Sequence, residues 1–154
     1  MKIRPFIKED LPEVLNVCRE VRQHHIDLLE GYFAEQNDEY EQTGFLESLE
    51  NEKNIALVAI DNEKVVGYIL GEFKELPHLI RSKTAYVANF GVRTAFRNNG
   101  VGKQLMNAFL DICKKNDIEE ILLGVYNKNE TAYAFYEKLG FQPLEQKMIL
   151  NLSE

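Results

Sequence analysis

The sequence predicts an α/β fold in which a mixed sheet carries helices on both faces. Two apolar, strand-like runs over residues 54–60 and 64–73 flank the turn 61–63, which is typical of an antiparallel hairpin. In the second half of the chain strand-like and helix-like segments alternate, and this order favours right-handed crossovers. Of the 154 residues, 45% are hydrophobic and 28% are charged, a composition that indicates a folded globular chain and excludes general disorder.

The N-terminal part is predicted to contribute an edge strand and two helices. Residues 2–7 alternate in polarity and include a proline, which suits an edge strand because proline donates no hydrogen bond to a neighbouring strand. Asp10 is expected to cap a helix, since apolar residues then repeat at helical spacing. Asp38 and Gly44 indicate turns around a short second helix near residues 44–51.

After the hairpin, the chain is predicted to alternate between strands and helices. Gly140 is expected to end the last helix, because glycine adopts a left-handed conformation without strain. No internal repeat or linker interrupts the pattern, so we expect one domain over residues 1–154. The predicted elements are, in order, a strand over 84–92, a helix over 100–115, a strand over 119–126, a helix over 129–139 and a last strand over 148–152.

The composition argues against several classes of protein. A formal net charge of -7 and a pI near 5.1 disfavour a nucleic-acid binder, which needs a basic surface to displace counterions from phosphates. No apolar run approaches about 18 residues and no signal-peptide pattern is present, so we expect a cytoplasmic protein without membrane contact. Cys18 and Cys113 have no metal-like spacing, and two reduced core thiols are favoured over one disulfide. The histidines form no ligand set, so no metal is expected.

The stretch that carries chemistry runs from Val92 to Lys103, where a strand ends and a helix begins. Gly100 and Gly102 leave backbone N–H groups unshielded at the helix start, where the helix dipole adds partial positive charge. Arg97 and Lys103 add full positive charges, so the turn is suited to hold a pyrophosphate without a metal. A tight turn with glycine for packing is the alternative. The Walker and dinucleotide-binding motifs both require residues that are missing here.

Arg97-x-x-Gly100-x-Gly102, after a strand that ends at Val92, resembles the acetyl-coenzyme A (acetyl-CoA) signature of the GNAT superfamily of N-acetyltransferases. Residues 129–141, which contain Asn129, Ala132 and Tyr136, resemble the C-terminal motif of that superfamily. The order of elements agrees over essentially the whole chain. The resemblance implies a GNAT-like, mostly antiparallel sheet with a splayed central strand pair, and acetyl-CoA as the acetyl donor.

The resemblance also implies how acetyl-CoA is held. The strand that ends at Val92 would splay from the strand over 119–126 and admit the pantetheine arm as an added strand. The Val92 N–H would point at the thioester oxygen, and Asn129 would hydrogen-bond near the pantetheine. The implied cofactor-binding residues are Phe90, Gly91, Val92, Arg97, Asn98, Asn99, Gly100, Val101, Gly102, Lys103, Asn129, Ala132 and Tyr136.

Tyr136 is the candidate catalytic acid, because the resemblance would bring its hydroxyl to the leaving sulfur. Packing on an amphipathic helix is the alternative. Many relatives place a carboxylate on the strand before the glycine turn, but Ala88 and Asn89 occupy these positions here. Glu72 and His78 are candidate bases, acting directly or through water. Deprotonation of the amine by solvent, with no dedicated base, is the leading option.

The acceptor side is expected to be acidic. Between Asp27 and Glu52 there are nine acids and no Lys or Arg, so this segment carries -9 and the rest of the chain +2. The corresponding segment lines the acceptor side in the superfamily, and acidic surface with nearby aromatic residues suits a cationic amine. Glu30, Glu35 and Asp38 are the acids expected to recognise the cation. A solvated helical face is the alternative.

The predicted function is acetyl transfer from acetyl-CoA to the primary amine of a small, cationic molecule. A polyamine, an aminosugar or a basic peptide end would fit this description. Acetylation of a protein or peptide amine is the second hypothesis. A non-catalytic acyl-CoA sensor or interaction module is the third, because the carboxylate is missing. The protein is expected to act as a monomer or homodimer, with no nucleic-acid or membrane partner.

Overall fold

The computed structural model describes residues 1–35 and 37–153. The chain divides into two compact units, Met1–Gly124 and Val125–Glu154, and each unit is described by itself. The single domain expected from the sequence stays a prediction. Among the described residues, no helix is long and apolar enough to cross a membrane.

The first unit is an α/β sheet structure, in agreement with the predicted fold class. Its described strands form one sheet in the order β1-β2-β3-β4-β5, and neighbouring strands are antiparallel except for the parallel pair β4–β5. The second unit contains the helix α4. The elements are β1 (Lys2–Pro5), α1 (Leu11–Leu28), α2 (Asp38–Glu50), β2 (Ile55–Asp61), β3 (Lys64–Glu75), β4 (Lys83–Val92), α3 (Val101–Lys115), β5 (Glu120–Leu123) and α4 (Glu130–Lys138).

β1 is the predicted edge strand, but Asp10 does not cap α1 as predicted. Its carboxylate instead accepts two hydrogen bonds of 2.7 Å from the Arg4 guanidinium and one of 3.0 Å from the Ile7 N–H. Burial by itself would raise the pKa of Asp10, but the hydrogen bonds from Arg4 and Ile7 outweigh it and hold the pKa below its usual range. Asp10 therefore ties the end of β1 to the start of α1.

The β2–β3 hairpin is confirmed, with Asn62 and Glu63 at its turn. Their φ angles of 47° and 64° are left-handed, which matches the right-handed twist of the strands.

The second helix is longer than predicted, because α2 begins at Asp38. The Asn37 side chain accepts a hydrogen bond of 3.2 Å from the Tyr40 N–H and so caps the helix. Asp38, Glu39 and Glu41 lie in the first turn, where negative charge stabilises the helix dipole. Gly44 was expected at a turn, but it lies inside the helix.

Helices cover both faces of the sheet, as predicted. On one face, the fully buried Tyr68 of β3 packs edge-on against Phe45 of α2, with ring centroids 5.5 Å apart. On the other face, the ring of Phe109 from α3 lies against Gly71 of β3, where an added Cβ would be 2.2 Å from the ring. Gly71 is therefore required for α3 to pack closely on the sheet. Cys18 and Cys113 are buried free thiols, as predicted.

The predicted last strand over 148–152 is wrong. Residues 141–153 form neither helix nor strand, and Met148, Leu150 and Leu152 are exposed. Alternating apolar residues define the two faces of a strand, but a strand exists only where a neighbour completes its hydrogen bonds. No backbone hydrogen bond involves residues 142–153 in the described part of the chain. β5 is also shorter than predicted.

Gly71→Ala should lower the free energy of unfolding by about 1–3 kcal/mol, because its methyl group would overlap the Phe109 ring. Gly44→Ala is the matched control. Nothing lies within 4 Å of its added Cβ, and alanine should stabilise the interior of α2 by about 0.5–1 kcal/mol. Urea unfolding of the two variants measures both effects. Equal midpoints for Gly71→Ala and the unmodified protein would contradict the close α3 packing.

Candidate active site

A β-bulge in β4 separates this strand from β5. In the β3–β4 register Leu70 is paired with Asn89 and Gly71 with Val87, so Ala88 is an extra residue without a partner. Parallel pairing of β4 with β5 runs only from Thr84 to Val87 and ends at the bulge. Within residues 1–35 and 37–153, residues 88–92 consequently have a strand neighbour on one side only. This is the predicted splayed pair, but it lies at the end of the described sheet and not at its centre.

The Val92 N–H points into the space where β4 and β5 have diverged. The Arg93 N–H donates a hydrogen bond of 2.9 Å to the Val66 carbonyl on β3. Backbone groups alternate in direction along a strand, so the N–H of Val92 points to the opposite side. The Val92 carbonyl accepts a hydrogen bond of 3.1 Å from Arg97 Nε, which ties the following turn to the end of β4.

The turn between β4 and α3 has two left-handed residues, Asn98 with φ 62° and Gly100 with φ 80°. Gly100 is the N-cap of α3 and supplies no side-chain cap. The first amides of a helix have no partner within the helix, so those of Val101, Gly102 and Lys103 are available to a ligand. Their direction and the helix dipole together favour an anion. Asn99 lies within the same turn.

α1 borders this turn. The Glu20 carboxylate accepts a hydrogen bond of 2.7 Å from the Thr94 N–H, just after β4. Burial lowers the pKa of His25, and nearby positive charges, Arg97 among them, lower it further. Gly91 of β4 lies so close to α1 that an added Cβ would be 2.7 Å from Val21 Cγ2. α1 therefore sets the position of both the strand end and the turn.

An acidic cleft of about 680 Å³ opens beside the bulge. α2 and the middle parts of β3 and β4 form it, and we call it the acceptor cleft. Its lining includes four carboxylates and the two residues of the bulge region: Glu39, Glu41, Glu47, Glu72, Ala88 and Asn89.

Asp38, one of the three acids expected to recognise the cation, and Glu41 form ion pairs with α1. Arg19 binds Asp38 with a shortest distance of 2.7 Å, and Arg22 binds Glu41 at 2.8 Å. The hydrogen bonds from Arg19 hold the pKa of Asp38 below its usual range. The two pairs have the same spacing of three residues on α1 and on α2, so they clamp the helices together. This matched spacing was the sequence signal that could have revealed the clamp.

The remaining acids differ in their position. Glu39 and Glu47 are exposed and line the acceptor cleft, whereas Glu30 and Glu35 are not among its lining residues. Of the candidate bases, Glu72 lines the cleft, with a carboxylate oxygen 3.8 Å from Lys74 Nζ. His78 is exposed in the loop after β3 and does not line the cleft.

Sequence reasoning missed the hydrogen bond of 2.7 Å from the Tyr68 hydroxyl to Asn89 Oδ1. Tyr68 occupies an apolar strand position, and nothing in the local pattern distinguishes it from an ordinary core residue. Only the register that pairs β3 with β4 brings the two side chains together.

The second unit contains the other predicted site residues. Asn129 is buried and caps α4, since its side chain accepts a hydrogen bond of 3.2 Å from the Ala132 N–H. Tyr136 lies two turns later, with its ring centroid 5.8 Å from that of Phe141. Burial raises the pKa of Tyr136 to about 12. Among the described residues, no group of His, Cys, Asp and Glu has the arrangement of a metal site.

A family model and several curated proteins are similar in sequence to this chain. Residues 19–141 match the family model described as "Acetyltransferase (GNAT) family". The chain is 33% identical over 86 residues to N-alpha-acetyltransferase 30 of Schizosaccharomyces pombe, covering 56% of each chain. It is 32% identical over 94 residues to N-alpha-acetyltransferase 50 of Danio rerio, covering 60% of this chain and 54% of the relative. The chain thus spans about half the length of these curated relatives.

Solved structures share the fold. A mutant of the BH1408 protein from Bacillus halodurans is 28% identical, with a TM-score of 0.90 and coverage of 99% of this chain and 100% of that chain. An aminoglycoside antibiotic 6′-N-acetyltransferase from Acinetobacter haemolyticus has a TM-score of 0.78 at 15% identity, covering 100% of this chain and 99% of that chain. At that identity, the likeness concerns the fold alone.

Proposed function

The chain belongs to the acetyltransferase (GNAT) family, and from that premise we propose that it transfers an acetyl group from acetyl-CoA to a primary amine. The observation that carries the proposal is the end of β4. There, an outward-pointing Val92 N–H lies between a turn suited to an anion and an acidic cleft suited to a cation. Both substrates can therefore meet at one strand end.

The residues of the turn fit the cofactor. The amides at the start of α3 and the left-handed Asn98 and Gly100 would hold the pyrophosphate, with Arg97 beside it. Phe90, Gly91 and Val92 would pair with the pantetheine as a neighbouring strand does. When bound, acetyl-CoA supplies a thioester, whose carbonyl carbon a neutral amine attacks.

The main catalytic contribution is positioning. Holding two substrates together removes an entropy cost of up to about 7–11 kcal/mol from the reaction. The Val92 N–H would donate a hydrogen bond to the thioester oxygen as negative charge develops on it. Deprotonation of the amine falls to solvent or to Glu72, directly or through water.

Tyr136 would donate a hydrogen bond to the departing sulfur. With a pKa of about 12 its hydroxyl stays protonated at every working pH. Full proton transfer to a thiolate with a pKa of about 8.5 is uphill by roughly 5 kcal/mol. Tyr136 would therefore stabilise the thiolate by a hydrogen bond, and solvent would deliver the proton.

The proposed acceptor is a small, cationic amine. Glu39, Glu47 and Glu72 supply negative charge on the lining of the acceptor cleft, and Glu39 and Glu47 form no ion pair with another described residue. A second candidate is a protein or peptide amine. It is favoured by the relatives from S. pombe and D. rerio, which are named N-alpha-acetyltransferases.

Gly102→Glu should weaken acetyl-CoA binding at least tenfold, because a carboxylate at the helix start would block and repel the pyrophosphate. Asn107→Glu, which places the same charge on the exposed face of α3, is the matched control and should bind normally. Calorimetric titration with and without a chelator measures both affinities and should show no metal requirement. Unchanged affinity in Gly102→Glu would refute the assignment of the turn.

Tyr136→Phe should lower kcat and kcat/KM together by about 10²-fold, while acetyl-CoA affinity is unchanged. The ring and its packing remain, so only the hydrogen bond to the leaving sulfur is lost. Thiol release measures the rates. A rate close to normal would identify Tyr136 as a packing residue, and a fall confined to Tyr133→Phe or Tyr126→Phe would assign the role to that hydroxyl.

Replacing Glu39 and Glu47 by glutamine should raise the KM for a cationic amine about 2- to 5-fold per residue and flatten its salt dependence. The KM for acetyl-CoA should not change. Glu30→Gln and Glu35→Gln remove the same charge outside the acceptor cleft and serve as controls. Equal rates of the unmodified protein on neutral and cationic amines would contradict charge recognition.

A further inference from the structure

Asn89 lies where the two substrates would meet. It follows the bulged Ala88 on β4, is half-buried and lines the acceptor cleft. It shares its face of the sheet with Glu72, which lies further along the same side of β3. The Asn89 side chain is therefore close enough to the acceptor cleft to contact a bound amine.

Tyr68 fixes the direction of the Asn89 amide. The Tyr68 side chain is fully buried and its hydroxyl lies 2.7 Å from Asn89 Oδ1. Its ring is held by Phe45 on one side, and by the close approach of Gly91, whose added Cβ would be 3.0 Å from the ring. A fully buried ring that packs between these neighbours is a rigid support for Asn89.

The Tyr68 hydroxyl donates and the Asn89 carbonyl oxygen accepts. The thiol of Cys18 is a second hydrogen-bonding neighbour of this hydroxyl, and a thiol is a much weaker acceptor than an amide oxygen. Burial keeps the pKa of Tyr68 well above its ordinary value, so the donating proton stays in place at every working pH. Asn89 Oδ1 therefore faces the core, where it accepts the hydrogen bond from Tyr68.

The Nδ2 group of Asn89 is therefore the end that remains for a ligand. It forms no hydrogen bond with another described residue, and it is not among the buried polar atoms that lack a partner. Its two N–H groups can donate but cannot accept. An ammonium or amine N–H gains nothing from them, whereas a hydroxyl or carbonyl oxygen gains a hydrogen bond.

We propose that Asn89 is a specificity-determining residue that selects amines carrying a hydroxyl or carbonyl oxygen next to the reacting nitrogen. The proposal rests on the proposed function and narrows its substrate class to amino alcohols and aminoacyl compounds. Two kinds of group would recognise the amine substrate. The carboxylates of the acceptor cleft attract its positive charge, and Asn89 binds the oxygen beside its reacting nitrogen. An amine without this oxygen would leave the Asn89 donors unpaired on binding, which is the cost that produces discrimination.

The test compares two dications, 1,3-diamino-2-methoxypropane and 1,3-diaminopropane. They differ by a methoxy group, whose oxygen can accept a hydrogen bond but cannot donate one. Thiol release from acetyl-CoA gives kcat/KM for each with the unmodified protein, Asn89→Asp and Asn62→Asp. Asn89→Asp keeps an oxygen acceptor for Tyr68 but removes the donors, and Asn62→Asp adds the same charge at the β2–β3 turn. Because the ratio between the two diamines is compared across variants, any difference in their own basicity cancels. Tyr68→Phe, which frees the amide to rotate, is the second probe.

The unmodified protein and Asn62→Asp should prefer the methoxy-bearing diamine, with a ratio of kcat/KM about tenfold above the ratio in Asn89→Asp, the effect of one hydrogen bond. Asn89→Asp should abolish or reverse this preference while it still turns over 1,3-diaminopropane, and Tyr68→Phe should reduce the preference. A ratio of kcat/KM between the two diamines that is the same in Asn89→Asp as in the unmodified protein would overturn the role of Asn89 and leave the proposed function intact. Absence of thiol release with every amine of a broad panel would overturn the proposed function, and this inference with it.

Discussion

The candidate site depends on one extra residue in β4. Because Ala88 has no partner on β3, the strand bends there and its pairing with β5 ends at Val87. A regular strand would have continued the parallel ladder, and the backbone N–H and carbonyl groups of Val92 would then have formed hydrogen bonds with β5. The bulge instead leaves them directed into an open space. The acceptor cleft and the glycine turn gain their relevance from this opening, since both lie beside it.

Close packing keeps the opening in place. Gly71 admits the Phe109 ring on one face of the sheet, and Gly91 admits Tyr68 and α1 on the other. A side chain at Gly71 would push α3 away from β3, and a side chain at Gly91 would push α1 away from β4. The hydrogen bond from the Thr94 N–H to Glu20 adds a polar link between α1 and the turn. Gly71 and Gly91 thus serve packing, whereas Gly100 lies in the turn that we propose holds the cofactor.

The acids between Asp27 and Glu52 include one group that forms ion pairs with α1 and another that lines the acceptor cleft. Asp38 and Glu41 pair with Arg19 and Arg22, so their charge is compensated and holds α2 against α1. The exposed Glu39 and Glu47 lie on the same helix and face the acceptor cleft. A count of charges cannot separate these groups, because the partners come from another helix. Asn89 adds a neutral hydrogen-bond donor to this acidic surface, so we propose that the cleft binds an oxygen of the substrate as well as its positive charge.

Local patterns in the sequence determined the hairpin, the edge strand, the order of the elements as far as α4, and the glycine turn. Alternation, helical spacing and left-handed glycine act within a few residues, so these features can be predicted without knowing what lies next to them. Only the tertiary structure decided the features that need a distant partner. The start of α2 depends on the Asn37 cap, and the Asp10 carboxylate binds Arg4 and does not cap α1. In the described part of the chain, the apolar residues near Met148 have no neighbouring strand to complete their hydrogen bonds, so they form no strand. The Tyr68–Asn89 hydrogen bond is of the same kind, since strand register, which joins residues 21 positions apart, places the two side chains together.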